Sequence, residues 1–210
     1  MGADLSAPFF LGEYLLKKVS DYLSPDLVEL IKVARLGDYK GAIKYSKGIF
    51  HAYKNNPLFL NTLGVIYRRA KHYKKARSFS EKALSIDKSL IQAKLNIASI
   101  DIEDGYIDRA IHILESVLQK NSDYSEALIN LGYAFKKKGD YHSSQKYYEK
   151  ALELPKKLPR VYFNLGTVLL SIKKFKEGWE KYEYRWQVDP GDKVIWPLKN
   201  TPMWEGQKDK

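Results

Sequence analysis

The stretch INLGYAFKKKGDY, residues 129–141, runs from a Leu-Gly pair through a basic helix end to a glycine turn. The Leu-Gly pair has counterparts at a fixed distance. Leu63-Gly64, Ile97-Ala98, Leu131-Gly132 and Leu165-Gly166 each lie thirty-four residues after the one before. So strict a spacing marks a repeat architecture, in which each supersecondary unit buries its apolar face against the next copy. The period decides the fold class before any local propensity is weighed.

With Leu63 and its equivalents at position seven, the units run 23–56, 57–90, 91–124, 125–158 and 159–192. Position eight holds Leu30, Gly64, Ala98, Gly132 and Gly166. Position twenty holds Ala42, Ala76, Ala110, Ser144 and Gly178, and position twenty-seven Ile49, Ala83, Val117, Ala151 and Arg185. Small residues recurring on two successive amphipathic segments let two helices approach closely, with larger apolar groups around them. Between the segments stand Gly37-Asp38, Lys71-His72, Gly105-Tyr106, Gly139-Asp140 and Lys173-Lys174. Glycine there suits a left-handed residue that ends the first helix. A bulky residue follows each turn: Tyr39, Tyr73, Ile107, Tyr141 and Phe175.

These residues resemble the tetratricopeptide repeat family. Its pattern of Leu-Gly, an aromatic, Ala, an aromatic and Ala is matched by residues 63–83 and 131–151. The first unit lacks the Leu-Gly pair, and Asp101 replaces the aromatic of the third. The resemblance implies an all-α, right-handed superhelical solenoid of five helix pairs with a concave inner face. Residues 1–22 precede the array, and PFFLGEYLLKKVSDYL (8–23) has the helical spacing of a cap for its first unit. Residues 193–210 are expected to be an extended tail or linker, open to self-association.

Composition removes several functions. The 210 residues include no cysteine, so neither a disulfide framework nor a thiolate metal site can form. No apolar run approaches the roughly 20 residues a bilayer crossing needs. The N-terminus lacks the features of a signal peptide, so a cytoplasmic protein is expected. MGADLS (1–6) fits the N-myristoylation pattern, which short sequences often meet by chance. The four histidines, His51, His72, His112 and His142, fall at four different repeat phases and do not converge on a metal. With no phosphate loop and no catalytic constellation, the reading is a non-enzyme without cofactors. The net charge of +11 favours acidic partners, whether nucleic acid, anionic lipid or acidic peptide.

Within the family, positions two, five, six, nine, twelve and thirteen of each first helix face the groove. The resemblance therefore implies groove residues Asn96, Asn130 and Asn164 at position six, and Asn61 and Phe163 at position five. Tyr133 takes position nine, and Arg35, Arg68, Arg69, Lys136 and Lys137 take twelve and thirteen. A row of amides can grip an extended peptide, because each amide has both donors and an acceptor. Asn is also the commonest family residue before Leu-Gly, so a structural role competes. If the three position-six amides are solvated, replacing them by Ala should leave folding stability almost unchanged. Basic residues near helix C-termini favour the helix dipole by roughly 0.3–1 kcal/mol each. Their recurrence on the inward phase of three units points beyond that, to an acidic ligand. The family's carboxylate clamp needs Lys at position five, and this chain has Leu27, Asn61, Leu95, Ile129 and Phe163 there.

The fifth unit ends in FKEGWEKYEYRWQVDP (175–190), with Trp179, Tyr182 and Trp186 on one helical face. Glu177-Gly178-Trp179, Tyr182–Trp186 and Pro202–Gly206 resemble the junction of bacterial repeat proteins fused to a glycosyltransferase-like domain. Three functions follow in order: a protein-interaction scaffold for an acidic peptide, the substrate-recruiting region of a larger glycosyltransferase-like enzyme, and nucleic-acid binding through the basic surface. Nucleic acid ranks last because only Tyr133 and Phe163 supply inward aromatics for base stacking.

Overall fold

The computed structural model describes residues 24–155 and 158–188, so the expected cap over 8–23 and the tail 193–210 lie outside the described residues. Among the described residues there are ten α-helices and no strand. They are α1 (Pro25–Arg35), α2 (Tyr39–Tyr53), α3 (Pro57–Arg69), α4 (Tyr73–Ile86), α5 (Ile91–Glu103), α6 (Ile107–Leu118), α7 (Ser125–Lys138), α8 (Tyr141–Glu153), α9 (Pro159–Ser171) and α10 (Phe175–Tyr182). A short 3-10 helix, Glu183–Gln187, follows α10. Each helix packs on its successor, and each odd-numbered helix also touches the next odd-numbered one. The chain is thus a helical solenoid, its odd helices lining the inner side and its even helices the outer.

Local chemistry sets the boundaries. Ser24, Asp38, Asn56 and Asp140 cap helix N-termini with their side chains, satisfying backbone N–H groups that have no intrahelical partner. Pro57 and Pro159 occupy first-turn positions, where a missing N–H costs nothing. At the other end, all five turns within the helix pairs use a left-handed residue. Glycine serves at Gly37, Gly105 and Gly139, and lysine adopts the same conformation at Lys71 (φ 61°) and Lys173 (φ 64°). In four of these turns the chain folds back so that one N–H reaches a carbonyl five residues earlier. The bonds are His72 N to Tyr67 O, Tyr106 N to Asp101 O, Asp140 N to Phe135 O and Lys174 N to Leu169 O. These bonds satisfy helix-end carbonyls, so Lys71 and Lys173 keep a φ that glycine would adopt freely.

The small residues act as the spacing implies. A Cβ added to Gly132 would lie 2.7–2.9 Å from the ring of Tyr148, which is fully buried on α8. At Gly166 the obstacle is backbone, with Tyr182 N at 2.5 Å and Gly178 O at 2.9 Å. Ala42, Ala76, Ala110 and Ser144 are all completely buried. Gly132→Leu is expected to destabilise the protein by about 1–3 kcal/mol through overpacking. An unchanged urea midpoint would show that Tyr148 can move aside.

Apolar groups fill the spaces between units. Leu30, Phe59, Leu63 and Ile66 form one core; Leu114, Val117, Leu131 and Ala134 a second; and Tyr148, Val161, Leu165 and Val168 a third. Asp101 is the exception. It is completely buried where the family pattern has an aromatic, and its carboxylate accepts from Arg77 on α4 and Arg109 on α6. The Arg109 Nε bond is 2.9 Å long. Sequence spacing flags the anomaly but not the two arginines that resolve it.

The fifth unit does not end in one continuous helix over 175–190. The α-helix stops at Tyr182 and tightens to 3-10 geometry. Arg185, standing where other units have a smaller apolar residue, is too bulky for that close contact. Its guanidinium sits instead over the rings of Tyr182 (4.7 Å) and Trp186 (4.5 Å). Tyr182 turns inward against Phe163, while Phe175 and Trp179 are more than half exposed.

Candidate functional site

The inner side of the solenoid is built from α3, α5, α7 and α9, whose central turns are almost wholly buried. In α5, every residue from Leu95 to Ile102 is buried. The asparagines of position six share this burial: Asn96 is 5% exposed, Asn130 2% and Asn164 8%. They are not a row of solvated amides.

Asn96 departs furthest from the expected groove role. Its Nδ2 donates to Ser80 Oγ at 2.6 Å, and its Oδ1 accepts from Arg68 Nε at 3.1 Å. Arg68 is itself only 4% exposed, and its Nη1 meets Glu103 Oε1 at 2.5 Å. The arginine is therefore neutralised by the acid that interrupts the basic series in the third unit, and cannot serve as a free groove cation. Together Ser80, Asn96, Arg68 and Glu103 bond unit two to unit three. The absence of a side chain at Gly64 makes room, since a Cβ there would collide with Ser80 Oγ and Asn96 Nδ2. Replacing Asn96 by Ala would consequently disturb folding, contrary to the expectation from sequence.

Two other amides differ. Asn130 Nδ2 and Asn61 Oδ1 are buried with no hydrogen-bond partner among the described residues, a state rare in native interiors. One is a donor and the other an acceptor.

The basic positions divide similarly. Lys136 is partly buried, and burial followed by the neighbouring Lys137 pushes its ammonium pKa below the usual lysine value. It donates to Thr167 Oγ1 on α9 at 2.6 Å, and no carboxylate is paired with it among the described residues. Lys137 is exposed and lies 5.8 Å from the centre of the Tyr133 ring, one helical turn away. Arg69 is partly exposed at the end of α3. Its charge is felt by Arg160 of α9, three units further along the chain. Burial lowers the Arg160 guanidinium to about 10, with Glu126 opposing and Arg69 adding to the effect. Superhelical winding thus brings basic groups of units two and five into one electrostatic neighbourhood. Arg160 holds the inward position two, and its type was readable from sequence although its proximity to Arg69 was not. Phe163 packs at 5.2 Å on Tyr182, so part of its ring belongs to the terminal contact. Arg35 lies partly exposed in the last turn of α1.

Among the described residues no group of acidic or histidine side chains is placed to hold a metal. No helix among them is long and apolar enough to cross a membrane.

Known proteins share this geometry. The tetratricopeptide repeat profile matches residues 59–90 and 125–157, the second and fourth helix pairs. Those two helix pairs are tetratricopeptide repeats. The anaphase-promoting complex subunit CDC16 of Saccharomyces cerevisiae is 34% identical over 90 residues, 40% of this chain. That match spans only 11% of the yeast protein. Among solved structures, TTC0263, a thermophilic TPR protein from Thermus thermophilus, superposes with a TM-score of 0.71 at 16% identity, covering 80% of this chain and 91% of its own. YrrB, a TPR protein with an unusual peptide-binding site, superposes with a TM-score of 0.51 at 13% identity, covering 84% and 91%. At these identities the likeness to the two structures is one of fold.

Proposed function

We propose that this chain is a non-catalytic protein-interaction scaffold that binds an extended acidic peptide along its inner face. The observation that carries the reading is Lys136: a desolvated ammonium without a carboxylate partner, beside Lys137 and a hydroxyl from the next unit. An ammonium in that setting is costly, and a ligand carboxylate would offset the cost. Arg69 and Arg160 extend the positive field, while Tyr133 and Phe163 supply apolar contact. Asn61 and Asn130 remain the candidates for gripping peptide backbone, one as acceptor and one as donor. The peptide-binding site of YrrB, on the same fold, supports peptides as the ligand class.

The test is a peptide array probed with the intact chain, followed by fluorescence anisotropy on the best acidic sequence. Lys136→Met should weaken that peptide by about ten- to a hundredfold, since hydrogen bonds to charged groups contribute roughly 1.5–3 kcal/mol. The same change should raise folding stability. The folded pKa of Lys136 lies below 10.5, so protonation favours the unfolded chain. The gain should be complete at neutral pH and vanish as pH rises past 10.5. Selection of neutral or basic peptides, or full affinity in the variant, would defeat the proposal.

A further inference from the structure

The net charge of +11 is not spread evenly along the solenoid. Residues 36–90 hold twelve Lys and Arg against three Asp and Glu, whereas residues 91–124 hold three against six. Most of the excess on units one and two is displayed on the outer helices. On α2, Lys40, Lys44 and Lys47 recur at four- and three-residue spacing, which places them on one stripe, and all three are exposed. The fifteen residues of α2 include no acid. On α4, Lys74, Lys75 and Lys82 are exposed likewise. Phe50 of α2 meets Phe79 of α4 edge-on at 6.2 Å, so apolar contact seats the two helices side by side. The acids nearby are already engaged. Asp38 caps α2 through Gly41 N, Asp87 binds Ser89, and Glu81 lies within 3.8 Å of Arg77. None of the six lysines has an ion pair among the described residues.

We propose that this outer face of α2 and α4 docks the protein on an anionic lipid surface, independently of the inner groove. The patch is the Lys40, Lys44 and Lys47 stripe of α2 with Lys74 of α4, which holds the repeat phase of Lys40, beside it. A flat array of this kind suits a charged plane rather than a single strand. Its cations are lysines, compact point charges without the fork that selects one phosphate geometry. The one large apolar group exposed on the two helices is Ile86, so the aromatic platforms that hold single-stranded nucleic acid are missing. Neither helix stands clear of its neighbour to enter a duplex groove. Headgroup charge needs neither device. Each lysine within a Debye length of such a surface raises partitioning by about fivefold, and roughly 10 Å is that length at 0.1 M salt.

The experiment is co-sedimentation of the full chain with phosphatidylcholine vesicles, with and without phosphatidylserine. Binding should require phosphatidylserine and fall steeply with added salt. The triple variant Lys40→Glu, Lys44→Glu, Lys47→Glu should lose binding by about a hundredfold or more, with its helical circular dichroism unchanged. Lys146→Glu with Lys150→Glu, exposed on α8 of the fourth unit, should leave it nearly intact. The groove change Lys136→Met should not move it, which separates this inference from the peptide reading. Indifference to phosphatidylserine, equal loss in the α8 variant, or displacement from vesicles by duplex or single-stranded RNA at matched phosphate concentration would each overturn it.

Discussion

Arg68→Met is expected to destabilise the protein by about 3–5 kcal/mol, the cost of breaking a buried ion pair by removing one partner. The Glu103 side chain is 10% exposed and would lose the guanidinium 2.5 Å away, and Asn96 Oδ1 would lose its donor. The side chain that replaces Arg68 fills similar space, so the loss reports pairing rather than a cavity. Adding Glu103→Leu should recover much of the stability, because a buried ion pair is often no better than apolar groups of like volume. Urea denaturation of both singles and the double isolates the coupling. Additive losses would show that the pair acts through separate contacts. A small loss in Arg68→Met alone would restore the arginine as a groove cation.

Gly166→Ala should cost about 3 kcal/mol, near the upper end of typical overpacking penalties, and the damage should centre on α10. Ala is intrinsically better than Gly inside a helix by about 1 kcal/mol, so the sign here runs against propensity. The reason is the neighbour. The new Cβ would meet Tyr182 N, Gly178 O and Lys181 C, all main-chain atoms at 2.5–2.9 Å that no rotamer change can move. Backbone amides of α10 should exchange faster, and the environment of Trp179 should change. Gly48→Ala is the internal contrast: a Cβ there meets nothing within 4 Å, and this change in α2 should stabilise by roughly 0.5–1 kcal/mol. Equal effects at the two positions would remove close helix approach as the explanation.

Both substitutions bear on how the fold is specified. Leu63, Ile97, Leu131 and Leu165 place four inner helices by period alone, and Tyr39, Tyr73, Ile107, Tyr141 and Phe175 each become the first residue of an outer helix. Glycine at 37, 105 and 139 anticipates a left-handed turn residue, and Lys71 and Lys173 stand at the same phase in the same conformation. These features are local. They depend on backbone conformation and on which face of a helix is apolar, and both are written in consecutive residues. The last helix shows the limit: Arg185 breaks the small-residue pattern, and the helix shortens and tightens there.

The inner face was less legible. Sequence phase could assign Arg68, Asn96, Lys136 and Asn130 to it, but phase states only which way a side chain starts. Whether its end reaches solvent depends on what the next unit brings. Glu103, thirty-five residues after Arg68, converts a groove cation into a buried pair. Ser80 takes up the Asn96 amide, whereas Asn130 Nδ2 finds no partner among the described residues. Arg69 and Arg160 come within electrostatic range only through the winding of three units. The sequence by itself determined the repeat, the helix pairs, their turns and the overall charge, because each follows from short-range periodicity and composition. Tertiary structure alone decided which polar groups remain available, because burial and pairing depend on distances between units that no local pattern encodes.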